Sequence, residues 1–182
     1  MKILDIGCGL ESTYYKEEGA VVVHADKQSS LGTVQADINK KLPFKDEEFD
    51  VVHCSHILEH VEDIFFSMDE IWRVLKVGGI LKIYVPFWAS AAAFTHPEHK
   101  HYFGFWTFDY WKPISVDGIE KKRFNVLKRR IRIFHHDHHR ILEKIFYPMQ
   151  ILIDFFPKVY ERFFFGILPA DELHFELQKV NI

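Results

Sequence analysis

Short apolar runs, broken by glycine and polar residues, mark the first half of the chain. Lys2–Ile6 reads as a buried strand that runs into Gly7-Cys8-Gly9, with a short helix expected over Leu10–Glu18. Ala20–Ala25 is a β-branched run bounded by Gly19 and Asp26, and reads as a second strand. Thr33–Ala36 is a third, ending at Asp37, and Phe49–Ser55 a fourth. From Val61 to Lys76 the period changes. Ile64, Phe65, Met68, Ile71, Trp72 and Leu75 recur at helical spacing, and Gly78-Gly79 is the expected stop. Ile80–Val85 is a fifth strand closed by Pro86. In the second half, Asn125–Phe134 alternates, with Arg130 and Arg132 on one face and Ile131 and Ile133 on the other. Leu173–Val180 is a final strand, expected to run antiparallel. Between them, 141–168 is dense in Ile and Phe and is expected to break at Pro148 and Pro157.

Strands that alternate with helices predict an α/β fold: a doubly wound, mainly parallel sheet with helices on both faces. The whole chain, 1–182, is expected to form one domain, with a lid or acceptor-side insertion at 87–111 and a Phe-rich helical insertion at 141–168. Gly7, Gly9, Asp26, Asp37 and Ser55 all fall at carboxyl ends of strands, on one rim, where such sheets bind ligands.

Composition narrows the class. A net charge of −3 gives no global pull toward nucleic acid, although 120–144 holds nine Lys or Arg against three acids. The alternation around Arg130 accounts for much of that stretch as the wet face of a strand. Cys8 and Cys54 sit at strand ends and read as small buried residues, which suits a cytoplasmic protein. No uncharged apolar run is long enough for a membrane span.

Leu4-Asp5-Ile6-Gly7-Cys8-Gly9, Asp26, Leu42-Pro43-Phe44 before Phe49-Asp50-Val51-Val52, Leu58-Glu59-His60-Val61 and Leu75-Lys76-Val77-Gly78-Gly79 together resemble the class I S-adenosylmethionine-dependent methyltransferases. The resemblance covers roughly residues 2–86. It implies a Rossmann-like seven-stranded sheet with an antiparallel final strand, S-adenosyl-L-methionine as cofactor, and a small-molecule acceptor (metabolite, sugar or lipid-like). RNA or protein methylation, or cofactor binding without catalysis, are the alternatives. By the same resemblance Asp5 and the Gly7, Cys8 and Gly9 backbone would hold the methionine end. Asp26, beside Lys27, would bind the ribose hydroxyls. Asp37 and Ile38 would sit near the adenine, and Ser55, His56 and Leu58 would line the cofactor. The pattern departs at Glu11, where the family commonly has glycine. Ser12 stands where a dinucleotide fingerprint needs Gly or Ala, which argues against a nicotinamide enzyme.

Histidines offer further chemistry. His96 and His101 are candidates for acceptor-side proton transfer, with Glu98 and His99 between them. His56-Ile57-Leu58-Glu59-His60 also fits the inverted zinc-protease pattern, but it follows a strand at the cofactor rim, and no metal is assigned. His135-His136-Asp137-His138-His139 reads as a solvated turn. The Phe-rich block is expected to pack on its own domain. The rival readings are an acceptor wall, a lipid-like patch and a homodimer surface.

Overall fold

A computed structural model describes residues 1–9, 15–28, 30, 34–113, 124–133, 140–167 and 170–180, with side chains of 140–143 left aside. The strands are β1 (Lys2–Ile6), β2 (Val21–Asp26), β3 (Val34–Gln35), β4 (Phe49–Ser55), β5 (Leu75–Pro86), β6 (Phe124–Arg132) and β7 (Glu172–Lys179). They form one sheet in the order β3-β2-β1-β4-β5-β7-β6. β1 pairs in parallel with both β2 and β4, and β7 is antiparallel to β5 and β6. The seven-stranded, mainly parallel sheet and its antiparallel last strand match expectation. Strand order reverses at β1, so a crevice opens where β1 and β4 diverge.

The two faces of the sheet differ because side chains alternate along each strand. Leu4, Ile6, Val52, Cys54, Leu81 and Ile83 form the apolar face, each at most 1% exposed. Helix α1 (Ile64–Val74) covers it with Met68, Ile71 and Val74. Its start is set by Asp63, whose carboxylate accepts from the N–H groups of Phe65 and Phe66. Each such buried apolar side chain stabilises by about 1.5–3 kcal/mol. Across the other face runs a polar row: Asp5 registers with His24 on one side and His53 on the other, and His53 with Lys82. The Tyr15 ring stacks on His53 with centroids 4.3 Å apart. Most of the expected helix Leu10–Glu18 lies outside the described residues, and its described part, 15–18, is irregular. There Tyr15 N donates to Asp5 Oδ2 rather than to a helical carbonyl.

Three boundaries differ from expectation. α1 ends at Val74, and β5 begins at Leu75 rather than Ile80. Gly78, at φ 79°, turns the chain within the strand instead of ending a helix. Helix α3 (Arg140–Phe155) runs straight through Pro148. Gln150 of α3 satisfies the β6 edge, accepting from Ile133 N and donating to Ile131 O. The Phe-rich block packs inward through Ile153 and Tyr160, with Phe146, Met149 and Phe165 partly buried against the core, while Leu152, Phe155 and Phe163 are 60%, 75% and 64% exposed. One side of that block therefore packs on its own domain as expected, and the other side is exposed.

The segment 87–111 is partly core. Phe87, Phe103, Phe105 and Phe108 are buried, and Phe87 bridges to Phe103. A short helix α2 (Ala91–Thr95), capped by Ser90, lifts the stretch that follows toward the crevice. The basic residues of β6 are matched internally: Lys128 with Glu176, Arg129 with Asp109 and Arg130 with Asp154. Among the described residues no helix is long and apolar enough to cross a membrane.

Candidate functional site

A cavity of about 930 Å³ opens at the carboxyl ends of β1, β2 and β4. Gly7 and Gly9 form its floor, with φ of 69° and 63°, a region that L side chains seldom enter. The turn is locked to β2, since Gly7 N and Cys8 N both donate to Ala25 O, at 2.8 and 3.4 Å. A methyl group at Gly7 would lie 2.8 Å from the Ile57 side chain. Glycine is therefore required for two reasons, backbone sign and space.

Asp26 joins the turn to the rim. Its Oδ2 accepts from Gly9 N at 3.2 Å, and its Oδ1 accepts from Gln28 N at 2.9 Å. Asp37 accepts from Asn39 N at 3.0 Å. Both carboxylates, with Lys27 and Ile38, line the cavity. Opposite them, His60 and Glu62 come from the segment after β4, and His96, Glu98 and Lys100 from the segment after α2. Lys100 pairs with Glu62. Its N–H and that of His101 donate to Glu59 O at 2.7 and 3.2 Å, so the two segments are clamped together.

Of the residues singled out from sequence, Gly7, Gly9, Asp26, Lys27, Asp37, Ile38 and His96 meet at this cavity. Asp5, Cys8, Ser55, His56, Leu58 and His101 do not line it. Asp5 is 2% exposed and lies behind the turn. His53 Nδ1, His24 Nδ1 and Tyr15 N donate to its carboxylate at 2.8, 2.9 and 3.0 Å. Burial pushes the Asp5 pKa up, but those hydrogen bonds outweigh it and hold the carboxyl below its ordinary range. Leu58 is fully buried in the core. The His101 ring donates through Nε2 to Val61 O at 2.9 Å.

His56 turns the chain after β4 at φ 51°, an uncommon conformation for a side chain with a Cβ. Both its nitrogens are engaged, Nε2 with Glu172 Oε1 at 2.8 Å and Nδ1 with Glu59 Oε1 at 3.2 Å. That turn aims Ile57 and His60 at the cavity instead of His56 and Leu58. The H-x-x-E-H pattern is thereby split, with its two histidines facing different surroundings. Sequence reasoning missed His60 and Lys100 as wall residues. His60 stands inside the Leu58–Val61 motif and Lys100 beside His101, and periodicity does not register the single left-handed residue that re-aims the segment after β4. The His135–His139 cluster and Glu11 and Ser12 lie outside the described residues.

Comparison with known proteins follows the same lines. Residues 4–83 match a family model described as "Methyltransferase domain". A sterol 24-C-methyltransferase of Aspergillus fumigatus is 29% identical over 121 residues, 55% of this chain and 32% of that protein. A demethylmenaquinone methyltransferase of Streptomyces avermitilis is 36% identical over 105 residues, 48% of this chain and 45% of that protein. The chain spans less than half the length of these relatives. A SAM-dependent methyltransferase structure from Archaeoglobus fulgidus superposes with TM-score 0.58 at 19% identity, covering 98% of this chain and 86% of that one. An S-adenosylmethionine-dependent methyltransferase from Mesorhizobium loti gives 0.55 at 14% identity, covering 98% and 90%. Likeness at such identity speaks to the fold.

Proposed function

We propose that the chain is a class I S-adenosylmethionine-dependent methyltransferase, as the match of residues 4–83 supports, and that its cavity directs methyl transfer from S-adenosyl-L-methionine to a small-molecule acceptor. One observation carries the proposal. The Asp26 carboxylate and the left-handed glycine turn meet at the reversal point of the sheet, joined by the Gly9 hydrogen bond.

The residues present suit this donor. It has no phosphate, so it needs no phosphate-cradling loop. It needs a backbone that comes close, acids for hydroxyl and amino groups, and an apolar wall. The Gly7–Gly9 turn supplies the first, with no room for a Cβ at Gly7. Asp26 would accept the ribose hydroxyls, with Lys27 beside it. Asp37 and Ile38 would flank the adenine, and Asp5 would act from behind by fixing Tyr15 and the end of the loop. When bound, the donor supplies an electrophilic methyl on a sulfonium, transferred by in-line displacement. The chain's part is to hold the reactants aligned and exclude water. His96 and Glu98 line the cavity and would face the acceptor. His101, bonded to Val61, would position that loop.

The relatives are named for sterol and demethylmenaquinone, which supports including lipid-like acceptors among the small molecules tried. Nucleic acid is disfavoured because Lys128, Arg129 and Arg130 already have acidic partners. Neither cysteine is in a disulfide and both are buried, in keeping with a cytoplasmic enzyme.

Titration calorimetry with S-adenosylmethionine is the first test. Binding at one site is expected, and Asp26→Ala should weaken it by about 10- to 100-fold, the loss of a charge-assisted hydrogen bond or two. No heat with the parent chain would sink the reading. A screen with methyl-labelled donor over metabolites, sugars, lipids and RNA then separates enzyme from silent binder. Label in a small molecule supports the proposal, and label only in RNA overturns its acceptor class.

A further inference from the structure

We propose that His60, His96 and His99 form a binding site for a divalent transition-metal ion, zinc foremost, in the wall of the cavity. One donor nitrogen from each imidazole lies within 4.8 Å of the other two. Tetrahedral zinc at about 2.0–2.1 Å from each nitrogen would set donors roughly 3.4 Å apart. Closure from the observed positions takes side-chain rotations that move each nitrogen by about 1 Å or less.

The rings already form a compact triangle. His60 meets His99 at 4.6 Å and His96 at 5.1 Å between centroids, at steep angles to both, and His96 and His99 are 5.4 Å apart. Their backbone is held. His99 N donates to His96 O, closing the turn that brings positions 96 and 99 together. Lys100 N and His101 N donate to Glu59 O, the residue before His60. His101 Nε2 adds a third clamp at Val61 O. His99 also has the outer partner that metal-bound imidazoles use. Its Nδ1 lies 2.9 Å from Ala93 O, so a proton there donates to the carbonyl and leaves the Nε2 lone pair for a ligand bond.

Imidazole donors favour zinc, copper, nickel or iron over magnesium or calcium. Three protein ligands, rather than four, are the pattern of a site with one open position. His60 and His96 line the cavity, so the open position takes its ligand from there: water, or a hydroxyl or carboxylate oxygen of a small molecule. The metal site stands whether or not methyl transfer does, because its donors and clamps owe nothing to the cofactor side.

The test uses the full chain, stripped with a chelator and titrated with Zn²⁺ by calorimetry and with Co²⁺ by visible absorption. One equivalent of Zn²⁺ is expected, with the intense ligand-field bands of tetrahedral Co²⁺. His96 is exposed, so His96→Ala should fold normally; it and His99→Ala should each weaken binding by about 10-fold or more. Replacing His135, His136, His138 and His139 together by Ala should leave both signals in place. The proposal falls if no stoichiometric ion binds, if His96→Ala binds within two-fold of the parent, or if the signal follows the 135–139 cluster instead.

Discussion

Gly7 concentrates the site's requirements in one residue. At φ 69° an alanine there would cost about 1–2 kcal/mol in backbone strain alone. The added methyl would also sit 2.8 Å from Ile57, against its β carbon as well as its outer carbons, so a rotamer change does not free it. Gly7→Ala should therefore lower unfolding stability by about 1–3 kcal/mol and weaken S-adenosylmethionine binding. Thermal unfolding and calorimetry check both. Adding Ile57→Ala should recover part of the binding and little of the strain, because it restores space without changing the sign of φ. An unchanged single variant would mean that the turn does not set the cradle. This position was legible in sequence, since Gly-x-Gly after a buried run has few other uses, and so was Asp26 at the next strand end. The turn that aims Ile57 into the cavity was not: His56 takes φ 51° and is held by Glu59 and Glu172, and Glu172 is 116 residues further along the chain.

At the scale of elements, the tip of β4 is tied to the start of β7 by that same histidine. Burial opposes the charge on His56, but hydrogen bonds to Glu172 and Glu59 prevail and raise its pKa to about 9. Burial likewise opposes the charge on Glu172, and His174 and His56 hold it down at about 2. These are two views of one interaction. Below pH 6.5 His56 is protonated in the folded and unfolded chain alike, and the pairing stabilises in full. Between 6.5 and about 9 only the folded chain keeps that proton, so the stabilisation declines and is gone above 9. Glu172 contributes in full above 4.5 and loses its share as pH falls toward about 2. The contribution of this pairing should be flat from about 4.5 to 6.5, and stability should fall by on the order of 2 kcal/mol on going to pH 9. His56→Asn, which tolerates the left-handed turn, should be less stable at pH 6 and lose most of the alkaline slope. Denaturant melts at several pH values decide it; a parent slope that survives the substitution would remove His56 from the explanation. The strands were legible because each repeats one period over several residues. The start of β5 was not, because Leu75–Gly79 carries a helix-stop signature that Gly78 spends on a turn inside the strand.

At the scale of the molecule, the exposed side of the Phe-rich block is the largest departure from a closed fold. Ile145, Leu152, Phe155, Phe156 and Phe163 are each at least 57% exposed, and α3 carries the first three of them. The sequence marked this block as apolar and predicted that it packs on its own domain; composition does not say which side of a helix meets the core and which stays outside. Here the inward side is taken by Gln150, Ile153 and Tyr160, which serve the β6 edge and the core. A homodimer through the outer side is the expected arrangement. A stable pairing removes about 800 Å² from each partner, some 20–30 residues, more than this stripe supplies alone. The dimer should therefore form with rising concentration, in the micromolar range, rather than persist at high dilution. Light scattering across a dilution series should show mass climbing toward twice the monomer value. Leu152→Glu with Phe155→Glu should hold it at the monomer value. Because no described residue of α3 lines the cavity, S-adenosylmethionine binding should survive both changes. Monomer at every concentration in the parent chain would leave that face without a self-partner, and loss of cofactor binding in the double variant would show that α3 supports the site after all.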